Sequence, residues 1–198
     1  MEMKELINED LIGNPIIEKS IENILREMGE DVNSDGLKRT PYRMSKAYAE
    51  WFGGYRFSSE DVLNRTFETD YGGMVIVKEI KFYSHCIHHI SPIIGKAHIA
   101  YIPKDRIVGL DKIVKLVEIF SRRLQTQEQL THQIAQGMQD VLKPKGVGVQ
   151  LSAIHFCIMS RETRNQDSIT TTTKLIGDLK KREPREEFFQ SIQNSSIW

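Results

Sequence analysis

"GMVIVKEIKFYSHCIHHISPIIGKAHIAYIP", residues 73–103, holds two β-rich runs with a cluster of metal-binding side chains between them. In "GMVIVKEIKFYS" and "IIGKAHIAYIP" the β-branched and aromatic residues predict two strands. Between them, "SHCIHHISP" (84–92) offers one thiol, Cys86, and three imidazoles, His85, His88 and His89. Soft-metal chemistry uses both kinds of group, but this stretch has too few well-spaced ligands to close a tetrahedral site. The rest of such a site has to come from elsewhere in the chain.

Working outward, the period of the apolar residues changes on both sides. Upstream, "NPIIEKSIENILREMGED" places Ile17, Ile21, Ile24, Leu25 and Met28 at helical spacing. "RTPYRMSKAYAEWFGG" predicts a helix with Thr40 as N-cap and Pro41 at the first helical position, ending at Gly53-Gly54. A short helix is expected after Ser59. Downstream, "GLDKIVKLVEIFSRRL" and "TQEQLTHQIAQGMQDVL" read as helices, the second with Thr126 and Gln129 in capping-box positions. "GVGVQLSAIHFCIMSR" reads as a long strand, "SITTTTKLIG" as a fourth, and "PREEFFQSIQ" as a closing helix. Paired strands with segregated helices predict an α+β domain on an antiparallel sheet. The expected division is an N-terminal helical region over 1–70 and an α+β domain over 71–198.

The bulk composition narrows the function. A chain of 198 residues suits one domain with a small extension. The 27 basic residues equal the 27 acidic ones, which argues against nonspecific binding to nucleic acid or membrane. The chain carries only two cysteines, too few for a disulfide scaffold, and the opening "MEMKELINEDLIGN" lacks a signal-peptide apolar run. A cytoplasmic protein is therefore expected. The apolar runs "MVIV" and "IHFCIM" are too short to span a bilayer.

The second cysteine, Cys157, lies in "IHFCIM", far from Cys86. Side chains on a strand alternate faces, so His155 and Cys157 are expected to point the same way. Cys86 and His89, three apart, can meet on one turn of a loop. With Cys157 they make three ligands, which leaves a fourth position open, as in catalytic zinc sites. His88 and His155 would then be free to carry protons. Taken alone, a buried cysteine is more often a small hydrophobe. His85 reads as a loop residue and His98 as a polar strand position.

"SHCIHHISPIIGKAHIAYIPKDRIVGL", "SRRLQTQEQLT", "AIHFCIMSR" and "SITTTT" together resemble the GTP cyclohydrolase I family, in order and spacing, from about residue 16 to 192. The resemblance implies the tunnelling fold, with a four-stranded antiparallel sheet carrying two helices on one face. It also implies a toroidal homodecamer with active sites at subunit interfaces. The implied reaction turns GTP and water into 7,8-dihydroneopterin triphosphate and formate, the entry step of folate or pterin synthesis. The family's Zn2+ ligands fall on Cys86, His89 and Cys157, and its proton-transfer histidines on His88 and His155. Its guanine-anchoring carboxylate falls on Glu128, preceded by Gln127, where a carboxylate can accept two parallel hydrogen bonds from guanine. Without the resemblance, Glu128 reads as a first-turn acid facing the helix dipole. The triphosphate contacts fall on Arg43, Lys46, Lys112, Lys115 and Arg161, cations suited to phosphate oxygens.

Four positions depart from the family pattern. Ile87 stands for the usual Glu, Asp111 for the usual Ser, Lys115 for the usual Arg and Glu162 for the usual Gly. Three of the four fall on the ribose–triphosphate side. The alternatives are a paralogue acting on a different guanine nucleotide and a non-catalytic binding or regulatory protein with a structural zinc. Intact His88 and His155 speak against the second, since a structural site has no use for them.

Overall fold

The computed structural model describes residues 6–161 and 168–193. Glu162 lies outside the described residues. The chain forms two compact units, Met1–Arg56 and Phe57–Trp198.

The first unit holds α1 (Pro15–Glu27) and α2 (Thr40–Trp51), which pack on each other. Asn14 caps α1, its side chain accepting from the backbone N–H groups of Ile16 and Ile17, with Pro15 at the first position. In α2 the cap position is Arg39, so Thr40 is already helical, one residue earlier than expected.

The second unit begins with α3 (Ser59–Val62), closed by a Ser58–Asp61 capping box. Its elements then run β1 (Thr66–Glu68), β2 (Val75–Cys86), β3 (Pro92–Ile102), β4 (Arg106–Val108), α4 (Leu110–Ser121), β5 (Leu124–Gln125) and α5 (Gln127–Leu142). They continue through β6 (Gly146–His155), α6 (Phe156–Met159) and β7 (Thr170–Gly177) to α7 (Arg182–Ile192). The architecture is α+β. The main sheet has the order β5-β2-β3-β6-β7, and β1 pairs with β4 in a separate ribbon. The four long strands are antiparallel neighbours, as expected, but β5 adds a fifth strand, parallel to the end of β2. A two-residue strand carries no periodicity, so the sequence reading of four strands missed it.

Alternation along β3 and β6 sets the core. Ala97, Ile99 and Tyr101 on one strand and Val147, Val149, Leu151 and Ala153 on the other are all buried. The helix α5 packs on β6 and β7 through Leu130, Ile134 and Met138, and α4 packs on β2 and on α5. Gly137 permits this layer to close: a Cβ there would lie 2.9 Å from Ser59 Cβ and 3.2 Å from Phe120 Cε2. At one end of the sheet, Ala100 and Leu179 pack with Phe188 and Ile192 of α7. Among the described residues no helix is long and apolar enough to cross a membrane.

Candidate metal centre and catalytic site

Three local features build the site. The first is the turn after β2. Cys86 ends the strand, its N–H donates to Ser91 O at 2.9 Å, and Ile90 N–H donates to Cys86 O at 3.0 Å. The reversal forces Ile90 to φ 51°, a conformation that β-branched residues rarely adopt. The turn brings His89 Nδ1 to 3.7 Å from Cys86 Sγ.

The second is β5. It pairs Cys86 with Gln125, and Ile87 N–H donates to Gln125 O at 3.2 Å. The short fifth strand thus stitches the cysteine turn to the start of α5, where Gln127 and Glu128 follow. His85, expected in a loop, is instead a buried strand residue opposite Pro92 and Leu124. Burial lowers its pKa.

The third is the end of β6. The sequence reading carried this strand past Cys157 to Arg161, but it stops at His155. The reason is its partner: β3 begins at Pro92, and Ile93 opposite His155 is the last rung. Beyond it the chain winds into α6, where Ser160 N–H donates to Phe156 O at 2.9 Å. His155 and Cys157 therefore do not share a strand face. The helical turn nonetheless delivers the thiol: the ligand atoms of Cys86, His89 and Cys157 lie within 4.8 Å of one another.

This donor set fits zinc. Two thiols and an imidazole are what a zinc site uses, and bond lengths of about 2.0–2.3 Å put tetrahedral ligand atoms about 3.6 Å apart. The Cys86–His89 separation of 3.7 Å matches that edge. Burial and the hydrogen bond with Cys86 push the Cys157 thiol above its ordinary pKa, while the charge of Arg161 pulls it down. A cation among the three groups would reverse that balance.

His155 lies partly buried beside this cluster in the chain, its Nε2 at 2.7 Å from Gln127 Oε1. Burial lowers its pKa, and the nearby Glu128 carboxylate raises it. Glu128 itself is exposed in the first turn of α5, with Thr126 as the cap. His88 is exposed, its ring edge-on to His89 at 6.2 Å between centroids. Arg161 reaches His89, Nη1 to Nε2, at 2.5 Å, so a cation stands at the rim of the Cys86–His89–Cys157 group.

The remaining predicted phosphate contacts are placed differently. On α4, Lys112 lies 3.5 Å from Asp111, and Lys115 lies 2.6 Å from Glu118, which also holds Arg122 at 3.2 Å. Glu118 was not singled out from the sequence, although its spacing of three from Lys115 and four from Arg122 is the pattern of helical ion pairs. Arg43 and Lys46 are exposed on α2 of the first unit. Two further residues escaped the sequence reading, Thr131 and Thr172, whose hydroxyls lie 2.6 Å apart beside Gln127. Only their tertiary contact reveals them.

Comparison with known proteins adds an independent line. The family model for GTP cyclohydrolase I matches residues 17–193. GTP cyclohydrolase 1 of Brucella suis is 50% identical over 182 residues, covering 91% of this chain and 85% of the relative. The Brucella canis protein of the same name is 50% identical and that of Brucella abortus 49%, over the same shares of each chain. Among solved structures, the apo form of the archaeosine synthase QueF-Like aligns with a TM-score of 0.46 at 15% identity, over 55% of this chain and 97% of that one.

Proposed function

The chain belongs to the GTP cyclohydrolase I family, and from that premise we propose that it opens the imidazole ring of GTP at C8. Formate is released, and the remainder is rearranged to 7,8-dihydroneopterin triphosphate. The observation that carries this reading is the convergence of Cys86, His89 and Cys157 within 4.8 Å, with His155 two residues away in the chain.

A zinc ion held by Cys86, His89 and Cys157 would lower the pKa of a water to near neutral, supplying the nucleophile for hydrolysis. The protein's own groups do the rest. Glu128 presents a carboxylate that can accept two parallel hydrogen bonds, one from guanine N1–H and one from the 2-amino group. Adenine lacks both donors in that arrangement. His155 gives a proton to N7 as a first water attacks C8, so that the C8–N9 bond breaks and a formamide remains on N7; a second water cleaves that formamide, C8 leaves as formate, and one water is returned when the new ring closes. Burial lowers the His155 pKa and the Glu128 carboxylate opposes that shift; imidazole is the side chain most often used for proton transfer of this kind. His88, exposed beside His89, serves the later Amadori-type rearrangement of the ribose and closure of the new ring. Arg161, Lys112 and Lys115 supply cations for the triphosphate; the family's further phosphate contacts fall on Arg43 and Lys46 of the N-terminal helical region. All the other residues named lie in 71–198, the catalytic domain. The family's homodecamer, with active sites shared between subunits and a tunnelling arrangement of sheets, fits phosphate contacts so widely spread in sequence. A cytoplasmic setting fits the thiol ligands, which must stay reduced.

The test is incubation with GTP, followed by fluorescence of the pterin product and by formate determination. One formate per pterin is expected, with loss of both after chelation and recovery with zinc. Zinc-loaded protein that yields neither product from GTP would overturn the reading.

A further inference from the structure

Gln127 opens α5, yet it is only 2% exposed. Its Nε2 lies 3.2 Å from Leu151 O, 2.9 Å from Thr170 O and 3.1 Å from Thr172 Oγ1. The direction of every bond around it can be worked out. Main-chain carbonyls only accept, so the amide edge facing Leu151 and Thr170 must be the NH2 group. Thr131 gives its hydroxyl proton to Gln127 O at 2.8 Å. In the 2.6 Å contact between Thr131 and Thr172, the donor is therefore Thr172. That leaves Thr172 Oγ1 to accept from Gln127. Turning the amide over would set its oxygen against two carbonyls in a buried site, where an unmatched polar group is costly. Gln127 Oε1 consequently faces His155 Nε2 at 2.7 Å, and because that oxygen only accepts, the His155 proton sits on Nε2.

We infer that Gln127 is a positioning residue: through the Thr131–Thr172–Gln127 network it keeps the His155 Nε2 proton on its own Oε1 and fixes the ring orientation, so that Nδ1 faces the substrate, bare in the neutral ring and carrying the transferable proton in the charged one. The inference rests on the reading of His155 as the group that protonates guanine N7. It assigns the Gln127 side chain to His155 rather than to the guanine base, since both ends of its amide are taken by protein groups. Glu128, one residue on and exposed, is left as the side chain of this pair that contacts the base. The arrangement parallels the way second-layer hydrogen bonds set the tautomer of functional histidines in general.

The experiment uses zinc-loaded protein labelled with 15N in its histidine rings, with His155→Asn supplying the assignment by difference. In the wild type at a pH where the ring is neutral, solid-state NMR should show a His155 ring with a protonated, hydrogen-bonded Nε2 and a bare Nδ1. Gln127→Leu should lose that hydrogen-bonded signal while keeping its zinc. Its kcat for GTP should fall about ten- to hundredfold, the cost of a misplaced catalytic group, with KM changed less than about threefold, since no contact to substrate is lost. Thr172→Val, which removes one acceptor of the Gln127 amide and leaves Gln127 itself in place, should weaken the same signal and lower kcat to a smaller degree. It keeps the test open should the leucine variant fail to fold. A neutral wild-type His155 with its proton on Nδ1 and a bare Nε2 would overturn the inference, as would a rise in KM with kcat intact in either variant. The NMR result does not depend on turnover. Absence of pterin formation by the wild type would count against the proposed reaction and leave the tautomer assignment standing.

Discussion

Removing the Cys157 thiol leaves Cys86 and His89 as the remaining donors of the cluster. Two protein ligands compete poorly with water and chelators for zinc. Cys157→Ala should therefore emerge from dialysis essentially metal-free by elemental analysis, and full occupancy would show the ligand set to be wrong. His155→Ala should behave in the opposite way, retaining zinc but losing at least about 10²-fold in formate release, the usual size of a general acid–base contribution. Near-normal formate from that variant would remove His155 from the N7 step. Asp111 is the residue where the family pattern and the structure pull apart most clearly. Its carboxylate is 71% exposed and lies 3.5 Å from Lys112 Nζ, so it occupies a cation that the triphosphate would use. Exposed pairs of this kind contribute little, typically below about 1 kcal/mol. Asp111→Ser should accordingly raise kcat/KM for GTP about two- to fivefold. The gain should come through KM and shrink at high salt as screening removes the competition. A drop in kcat/KM would show that Asp111 holds the ribose instead.

At the scale of elements, the start of α5 is where stability and chemistry meet. Thr126 Oγ1 accepts from Gln129 N–H at 3.2 Å, and Gln129 Oε1 accepts from Thr126 N–H at 3.1 Å, closing a capping box around Gln127 and Glu128. Thr126→Ala removes the acceptor for the helix's exposed N–H. It should cost about 1 kcal/mol in urea unfolding, and Thr126→Ser should restore most of it. If alanine left the unfolding midpoint unchanged, the cap would be idle and the first turn would be held by Gln127 alone. The same region explains why β5 exists. Gln125 Nε2 donates to Phe120 O, binding the strand to the end of α4, while the Gln125 main chain holds Ile87. The cysteine turn, α4 and α5 are thus tied together by a strand of two residues.

At the scale of the whole molecule, buried histidines make stability depend on pH. His98 is 2% exposed in β3, and its Nδ1 accepts from Glu79 N–H at 3.3 Å. Burial lowers its pKa from 6.5, with the charges of Lys96 and Lys78 adding to the shift and Glu79 opposing it. The sign follows from linkage. The unfolded chain binds the proton more readily, so the contribution is full above pH 6.5 and is lost as pH falls through the folded pKa. His85 is shifted in the same direction by the same cause. The melting temperature should therefore decline on going from pH 7.5 to 5, and His98→Gln should flatten part of that decline. An identical slope in the variant would show that His98 carries none of it.

The sequence alone determined most of the elements and the identity of the three side chains, Cys86, His89 and Cys157, whose donor atoms converge. The reason is local: a period of two or 3.6, a capping box or a Cys-x-x-His spacing is encoded in neighbouring residues, and α5 begins where Thr126 and Gln129 say it should. The family resemblance added the proposed roles of His88, His155 and Glu128, because several separated motifs keep their order. What the sequence left to the tertiary structure is everything that needs two distant segments at once. The end of β6 at His155 is decided by Pro92 on another strand, and no property of "IHFCIM" itself announces it. The strand β5 exists only because the end of β2 lies beside it. The amide of Gln127 acquires its direction from carbonyls at Leu151 and Thr170 and a hydroxyl at Thr172, residues 24, 43 and 45 positions away. Hydrogen-bond direction in a buried site depends on which acceptors surround it, and that is a property of packing, which a linear pattern does not carry.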